Sequence, residues 1–278
     1  MKFAFRHLRN AAIRLIWLTA ALLSSTFAST AEGPHKTLDL SQYRLTFSED
    51  FDKLDVSPWG PAGPKGSRWI AHTPWAGDFG DAQFADPRPT FPFTTDKGIL
   101  RIEARKTAEG KWLSGLLASA DGKQRGFQQK FGYFEIRTKF PPGPGIWSAF
   151  WLVGNADPDT SAEVDVIEYY GEAPGNYQSV LHVWAKNDKA KPYGELKTFD
   201  VPYGSLTSDF HTYGVSIDET WTIFYRDRME TWRVKTPPEY HRPMMLLLNL
   251  ALGGGWPIDK TPNPSFMYVD YVRAYQLK

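Results

Sequence analysis

The chain has 278 residues and no cysteine, which excludes disulfides, thiolate metal centres and a cysteine nucleophile. Its 32 Lys plus Arg nearly match 31 Asp plus Glu, and four of the cations (Lys2, Arg6, Arg9, Arg14) precede Leu15. The rest is therefore mildly acidic and lacks the field that draws phosphate backbones or anionic lipid, which argues against a nucleic-acid partner and favours a neutral ligand.

Along the chain, the four cations are followed by an apolar stretch from Leu15 to Leu23 and then by small residues through Ala31. This is the pattern of a secretory leader over 1–31, too short for the roughly 20 residues that span a bilayer. It implies a secreted or periplasmic protein, with no membrane partner once the leader is cleaved. A short linker is expected over 32–42, then one all-β domain over 43–278, acting as a monomer. Strands are expected at Ile99–Arg105, Gly132–Phe140, Thr212–Ile217 and Met267–Tyr275, with a hairpin between Trp221 and Trp232. In Gly132–Phe140 the side chains alternate, with Tyr133, Glu135, Arg137 and Lys139 on one face and Phe134, Ile136, Thr138 and Phe140 on the other, as in a half-buried strand. Met244–Leu252 is nearly all apolar, which suits a strand covered on both faces. Many strands without a long amphipathic helix imply a sandwich or barrel.

Two stretches break this rhythm. Pro141–Gly145 is a Pro/Gly cluster. Ser57–Pro92 is too long for a turn, and its aromatic content (Trp59, Trp69, Trp75, Phe79, Phe84) argues against disorder and for a functional loop. Aromatic residues make up 15% of the chain, 11 of them Trp; such rings either fill a core or stack on the faces of sugars.

Chemistry concentrates in Ala162-Glu163-Val164-Asp165-Val166-Ile167-Glu168. Glu163 and Asp165 share one face of a strand, and Val164 and Val166 the other. Strict alternation would turn Glu168 inward, and a β-bulge at Val166 or Ile167 restores it to the carboxylate face. Three like charges in a row destabilise a sheet, so a purely structural role explains them poorly. Hydrolysis of a glycoside needs one ionised carboxylate and one protonated carboxyl, and neighbouring negative charge keeps a proton on one member. On a straight strand Glu163 and Glu168 would stand roughly 13 Å apart. Retaining chemistry needs about 5–5.5 Å, so a curved sheet with this strand near the middle of its concave face is expected.

At these residues the chain resembles glycoside hydrolase family 16, in the laminarinase/lichenase-like branch with a bulged Glu-x-Asp-x-x-Glu motif. The strands Phe131–Arg137 and Gly145–Leu152, the run Leu247–Trp256 and the C-terminal Tyr268–Arg273 also fit, so the similarity covers Leu45 to Tyr275. The resemblance implies a concanavalin-like jelly-roll sandwich of two curved antiparallel sheets, with a polysaccharide lying across the concave face. It implies Glu163 as nucleophile, Asp165 as its helper and Glu168 as general acid and then base. Trp147 and Trp151 match positions that line the groove. Glu135 and His182 are expected on flanking strands, and Trp75 and Trp256 as further contacts to substrate. No cofactor is implied for catalysis, but Asp270 matches the side-chain ligand of a structural calcium, with backbone oxygens near Glu49 and Gly98 as companions.

The chain departs from the family's usual pattern at Ala162, where Gly is common, at Ser148, where Pro is frequent, and over Trp69–Asp86, which lacks a laminarinase counterpart. The expected substrate is therefore a β-1,3 or mixed β-1,3-1,4-glucan or a bacterial exopolysaccharide, cut internally. The alternatives are a non-catalytic carbohydrate-binding module, which would not need the carboxylate row, and a transglycosylase, whose family members generally lack the bulge residue.

Overall fold

The computed structural model describes residues 36–75 and 77–278. The expected leader, and the start of the expected linker, lie outside these residues. From Lys36 onward the chain is already part of the fold, which corrects the linker boundary. Thr37 bridges to Met229, Leu38 N–H donates to the Arg228 carbonyl at 2.9 Å, and Leu38 and Leu40 pack beside Tyr133, Tyr225 and Tyr275. Those three tyrosines form an apolar patch on the outer surface of a sheet, and the two leucines remove it from water.

Two sheets are stacked. One runs, strand by strand, through Tyr193–Asp200, Asn176–Ala185, Thr160–Tyr170, Ile146–Gly154, Met245–Leu252, Leu116–Ala118, Trp69–Ile70 and Val56–Ser57. The other is centred on Gly132–Lys139 and the long C-terminal strand Ser265–Leu277, flanked by the His211–Ile217, Trp221–Arg226 and Met229–Lys235 meander and by Ile99–Lys106. Among the described strands pairing is antiparallel except for two short parallel pairs, Val56–Ser57 with Trp69–Ile70 and Gln83–Phe84 with Trp112–Ser114. Among the described residues helix is limited to Ser205–Ser208 and two single 3-10 turns, and none of these is long and apolar enough to cross a membrane.

The core lies between the sheets, where Phe150, Leu152, Val164, Leu181 and Leu248 meet Phe134, Ile136, Val215, Ile102 and Val269. Alternation explains which residues enter it, and each large side chain so buried contributes roughly 1.5–3 kcal/mol. A second apolar cluster covers the opposite face of the first sheet. There Ala118, Ala149, Trp151, Met245 and Leu247 lie under Trp75 and Phe79, which come from the long loop. Thus every residue of Met245–Leu252 is buried, as its continuous apolar run anticipates. The Gly132–Lys139 strand is also covered on both faces in its middle, not on one, because the N-terminal segment caps its outer side.

Candidate active site

The register of the Thr160–Tyr170 strand shows how the carboxylates align. Against Ile146–Gly154, Glu163 lies opposite Val153, Asp165 opposite Trp151, Glu168 opposite Ala149 and Tyr170 opposite Trp147, and the pairing skips Val166. Against Asn176–Ala185, Glu163 faces His182 and Glu168 faces Gln178, with the register slipping between Asp165 and Glu168. The bulge turns both Val166 and Ile167 into the core and returns Glu168 to the groove side. Its cost to the ladder is offset locally: Ser179 Oγ donates to the Val166 carbonyl at 2.8 Å. From the core side, the buried Tyr240 hydroxyl donates to the backbone carbonyl of Glu163 at 2.6 Å, fixing the strand where the first carboxylate leaves it.

The three acids have different partners. Trp184 Nε1 donates to Glu163 Oε2 at 3.2 Å. On Glu168 both donors, Trp147 Nε1 at 2.9 Å and Tyr170 OH at 3.1 Å, converge on Oε1, leaving Oε2 for a proton. Asp165, 5% exposed, lies between them with His182 Nε2 3.6 Å from its Oδ2. Ligand-capable atoms of Glu163, Asp165 and His182 all fall within 4.8 Å of one another. Burial raises the proton affinity of all three acids. It pushes Glu163 up to about 7, helped by the charge of Glu168 and opposed by the Trp184 hydrogen bond. Asp165 is raised well above the carboxylate range by burial and by both neighbouring glutamates. Glu168 is raised by burial against the pull of its two donors, and burial lowers the pKa of His182 toward the neutral form. The carboxylates floor a cavity of about 220 Å³ walled by Trp75, Phe79, Trp147, Trp151 and Asn249.

A family model, Glycosyl hydrolases family 16, matches residues 91–273. The chain belongs to this family. It is 32% identical to the endo-1,3-1,4-beta-glycanase ExsH of Rhizobium meliloti (strain 1021) over 87% of its own length, but spans only 53% of that relative. It is 25% identical to a beta-glucanase of Rhodothermus marinus, covering 93% of this chain and 94% of the relative. Among solved structures, the laminarinase catalytic domain of Thermotoga maritima MSB8 superposes with a TM-score of 0.64 at 25% identity, over 84% of this chain and 98% of that one. The fold is thus the family's jelly-roll sandwich.

Within this family 16 frame, Trp147, Trp151 and Trp75 line the cavity that holds the acids, and His182 lies beside it, next to Asp165. Trp151 Nε1 donates to Asn249 Oδ1 at 2.9 Å, Trp147 stacks at 14° to Tyr170, and His182 stacks on Trp184 at 4.5 Å. Glu135 does not join them. It lies on the other sheet, fully buried under Arg228 (2.8 Å) and bonded by Tyr133 OH at 2.8 Å, because its strand belongs to the C-terminal layer. Trp256 is also outside the cavity lining, half exposed on the loop after Met245–Leu252. That loop reaches the site through Gly254 (φ +63°), where a Cβ would come within 2.9 Å of the Trp147 ring.

Asp270 sits where one neighbour of the C-terminal strand ends, at Val269 opposite Leu100, and the next begins, at Val272 opposite Glu49. Its Oδ2 accepts from Arg137, so only Oδ1 is left to add to main-chain oxygens. An all-oxygen set of one carboxylate oxygen and main-chain carbonyls would suit a hard cation, and its low charge count would make for weak binding.

Sequence reasoning missed Trp184, Tyr170, Asn249 and Tyr240. Period-2 spacing from His182 and Glu168 could have found the first two, and Asn249 is the one polar residue in Met245–Leu252.

The raised acids make stability depend on pH. The folded chain binds more protons than the unfolded chain between the usual glutamate pKa of 4.5 and about 7, so stability falls as pH rises through that window. For Glu163 alone the loss is up to about 3 kcal/mol. Glu163→Gln is therefore expected to raise the midpoint of denaturant unfolding at pH 8 and leave it unchanged at pH 4.5. Equal effects at both values would contradict the assignment.

Proposed function

We propose that the chain is a retaining endo-glycosidase that cuts β-1,3 or mixed β-1,3-1,4 bonds in a glucan-like polysaccharide. The observation that carries this reading is the row of three carboxyls that the bulged register brings to one groove face, each with its own polar partners. Glu163 is the nucleophile. Its Oε1, away from the Trp184 bond, attacks the anomeric carbon and forms the glycosyl ester. Glu168 gives the Oε2 proton to the departing glycosidic oxygen, then takes a proton from the water that cleaves the ester. Asp165, whose proton affinity is raised by burial and by both glutamates, supplies the proton for a hydrogen bond toward Glu163, which favours the ionised nucleophile despite its burial.

The endo character is supported by the groove's exposure on the His182 side, where Trp184 and Leu196 are 46% and 57% exposed. The names of the relatives support a glucan. The proposal includes export on the N-terminal leader to the periplasm or medium, and action as a monomer. The test is a panel of laminarin, lichenan, curdlan, agarose and an acidic exopolysaccharide, with new reducing ends and product lengths measured. Internal cleavage of one polymer supports the reading and identifies the linkage. Binding of several polymers without cleavage would replace it with a binding module.

We also propose a weak structural calcium at Asp270, with main-chain oxygens of Glu49 and Gly98, that takes no part in the chemistry. Millimolar Ca²⁺ is expected to raise the thermal midpoint by about 2–4 °C with kcat unchanged, and an Asp270→Ala variant to lose that shift. A midpoint indifferent to Ca²⁺ removes the site.

A further inference from the structure

Trp75 lines two cavities. One holds the carboxylates, and the other, of about 320 Å³, is walled by Trp59, Thr73, Asp121, Lys123 and Arg125. Trp59 is 59% exposed, which leaves much of a large apolar ring in water. The ring is nevertheless fixed. His72 stacks on one face, with centroids 3.9 Å apart and planes 4° from parallel, and is itself 5% exposed and tied by Nε2 to Asp86 Oδ1 at 2.9 Å. Trp59 also lines the cavity, and more than half of its surface stays open. At the rim, Arg125 Nε is held by Asp121 Oδ2 at 2.7 Å, and the same carboxylate accepts backbone N–H groups from Ala62, Lys123 and Arg125.

A rigid indole backed on one face and more than half open, bordered by cationic hydrogen-bond donors, matches a pyranose ring. The sugar's C–H face lies on the indole and its equatorial hydroxyls reach the rim. Because the platform is already immobile, little ordering cost is added on binding. We propose that this cavity is a distal subsite. It takes a pyranose unit of the same polysaccharide, beyond those held over the carboxylates, with Trp59 as its platform and Trp75 as the partition. This rests on the reading of the neighbouring cavity as a polysaccharide hydrolase site. It gives the long loop a task that the chemistry does not require, namely retention of long chains over short ones.

The test is Trp59→Ala in the full chain, with Trp59→Phe as the conservative control and circular dichroism to verify folding. On the polymer that wild type cuts, Trp59→Ala is expected to raise KM about tenfold with kcat within about twofold. On a trisaccharide that fills only the catalytic cavity, KM is expected to stay unchanged, and Phe is expected to restore most of the polymer KM. An unchanged polymer KM, or an equal rise on polymer and trisaccharide, overturns the subsite. Should wild type cut none of the polymers, the hydrolase reading fails by itself. The subsite is then decided by affinity electrophoresis in laminarin and lichenan gels: retardation lost in Trp59→Ala supports it, and equal mobility of the two proteins overturns it.

Discussion

Replacing Glu163 with Gln is expected to lower polysaccharide cleavage by at least about 10⁴-fold, since removing the proposed nucleophile removes the covalent route. Gln keeps the length of the side chain and an acceptor for Trp184 Nε1, so a loss of this size reports chemistry and not collapse of the groove. A smaller side chain separates the roles further. In Glu163→Ala, azide can occupy the vacated space and attack the anomeric carbon from the nucleophile's side, giving a glycosyl azide of inverted configuration. Product stereochemistry by NMR reads this directly. Activity within tenfold of wild type, or an azide product of retained configuration, would assign the nucleophile elsewhere.

Glu168→Gln is expected to cost about 10²–10⁴-fold on the polymer and far less on a glycoside with a strongly acidic phenol as leaving group, which departs without a proton. Trp147 Nε1 and Tyr170 OH both point at Oε1, which the amide oxygen of Gln can replace, so the geometry is preserved while the transferable proton is lost. The pH profile carries the same information. Burial raises the pKa of Glu168, and an acid must hold its proton to act, so wild-type activity declines as pH rises through that raised value. In Glu168→Gln the alkaline limb should vanish for the activated substrate. A variant that keeps the limb, or that slows both substrates equally, would show that another group delivers the proton.

The two variants also differ in what they do to stability. Each removes a buried acid that charges reluctantly, but Glu163 is additionally pressed by the charge of Glu168. The gain at pH 8 should therefore be measured alongside activity, because a protein made more stable and inactive by one substitution is what a functional like-charge cluster predicts.

Much of the site was legible in the chain. The alternation of Glu163 and Asp165 against Val164 and Val166 needs only the period of a strand, and the break before Glu168 needs only the requirement that a carboxylate avoid the core. Glu135 shows where such reading stops. Its strand and its face were right, but the sheet to which the strand belongs is fixed by pairing with residues far away in sequence, Arg273 and Gly214, and no local pattern reports that. Trp184 and Asn249 were missed for a related reason, since each reaches the acids or a groove tryptophan only across a neighbouring strand.

By itself the sequence determined the all-β class, the carboxylate strand with its bulge and the doubly covered Met245–Leu252 strand, because each depends on side-chain periodicity, a property of neighbours in the chain. The tertiary structure alone decided that Glu135 is a buried ion pair on the far sheet and that Arg137 meets Asp270. It alone placed the long loop so that Trp75 and Phe79 roof the acids while Trp59 faces outward on His72. Those outcomes depend on strand order and on loop closure over many residues, where the free energy comes from burying distant apolar surfaces against one another, and that matching exists only once the sheets have formed.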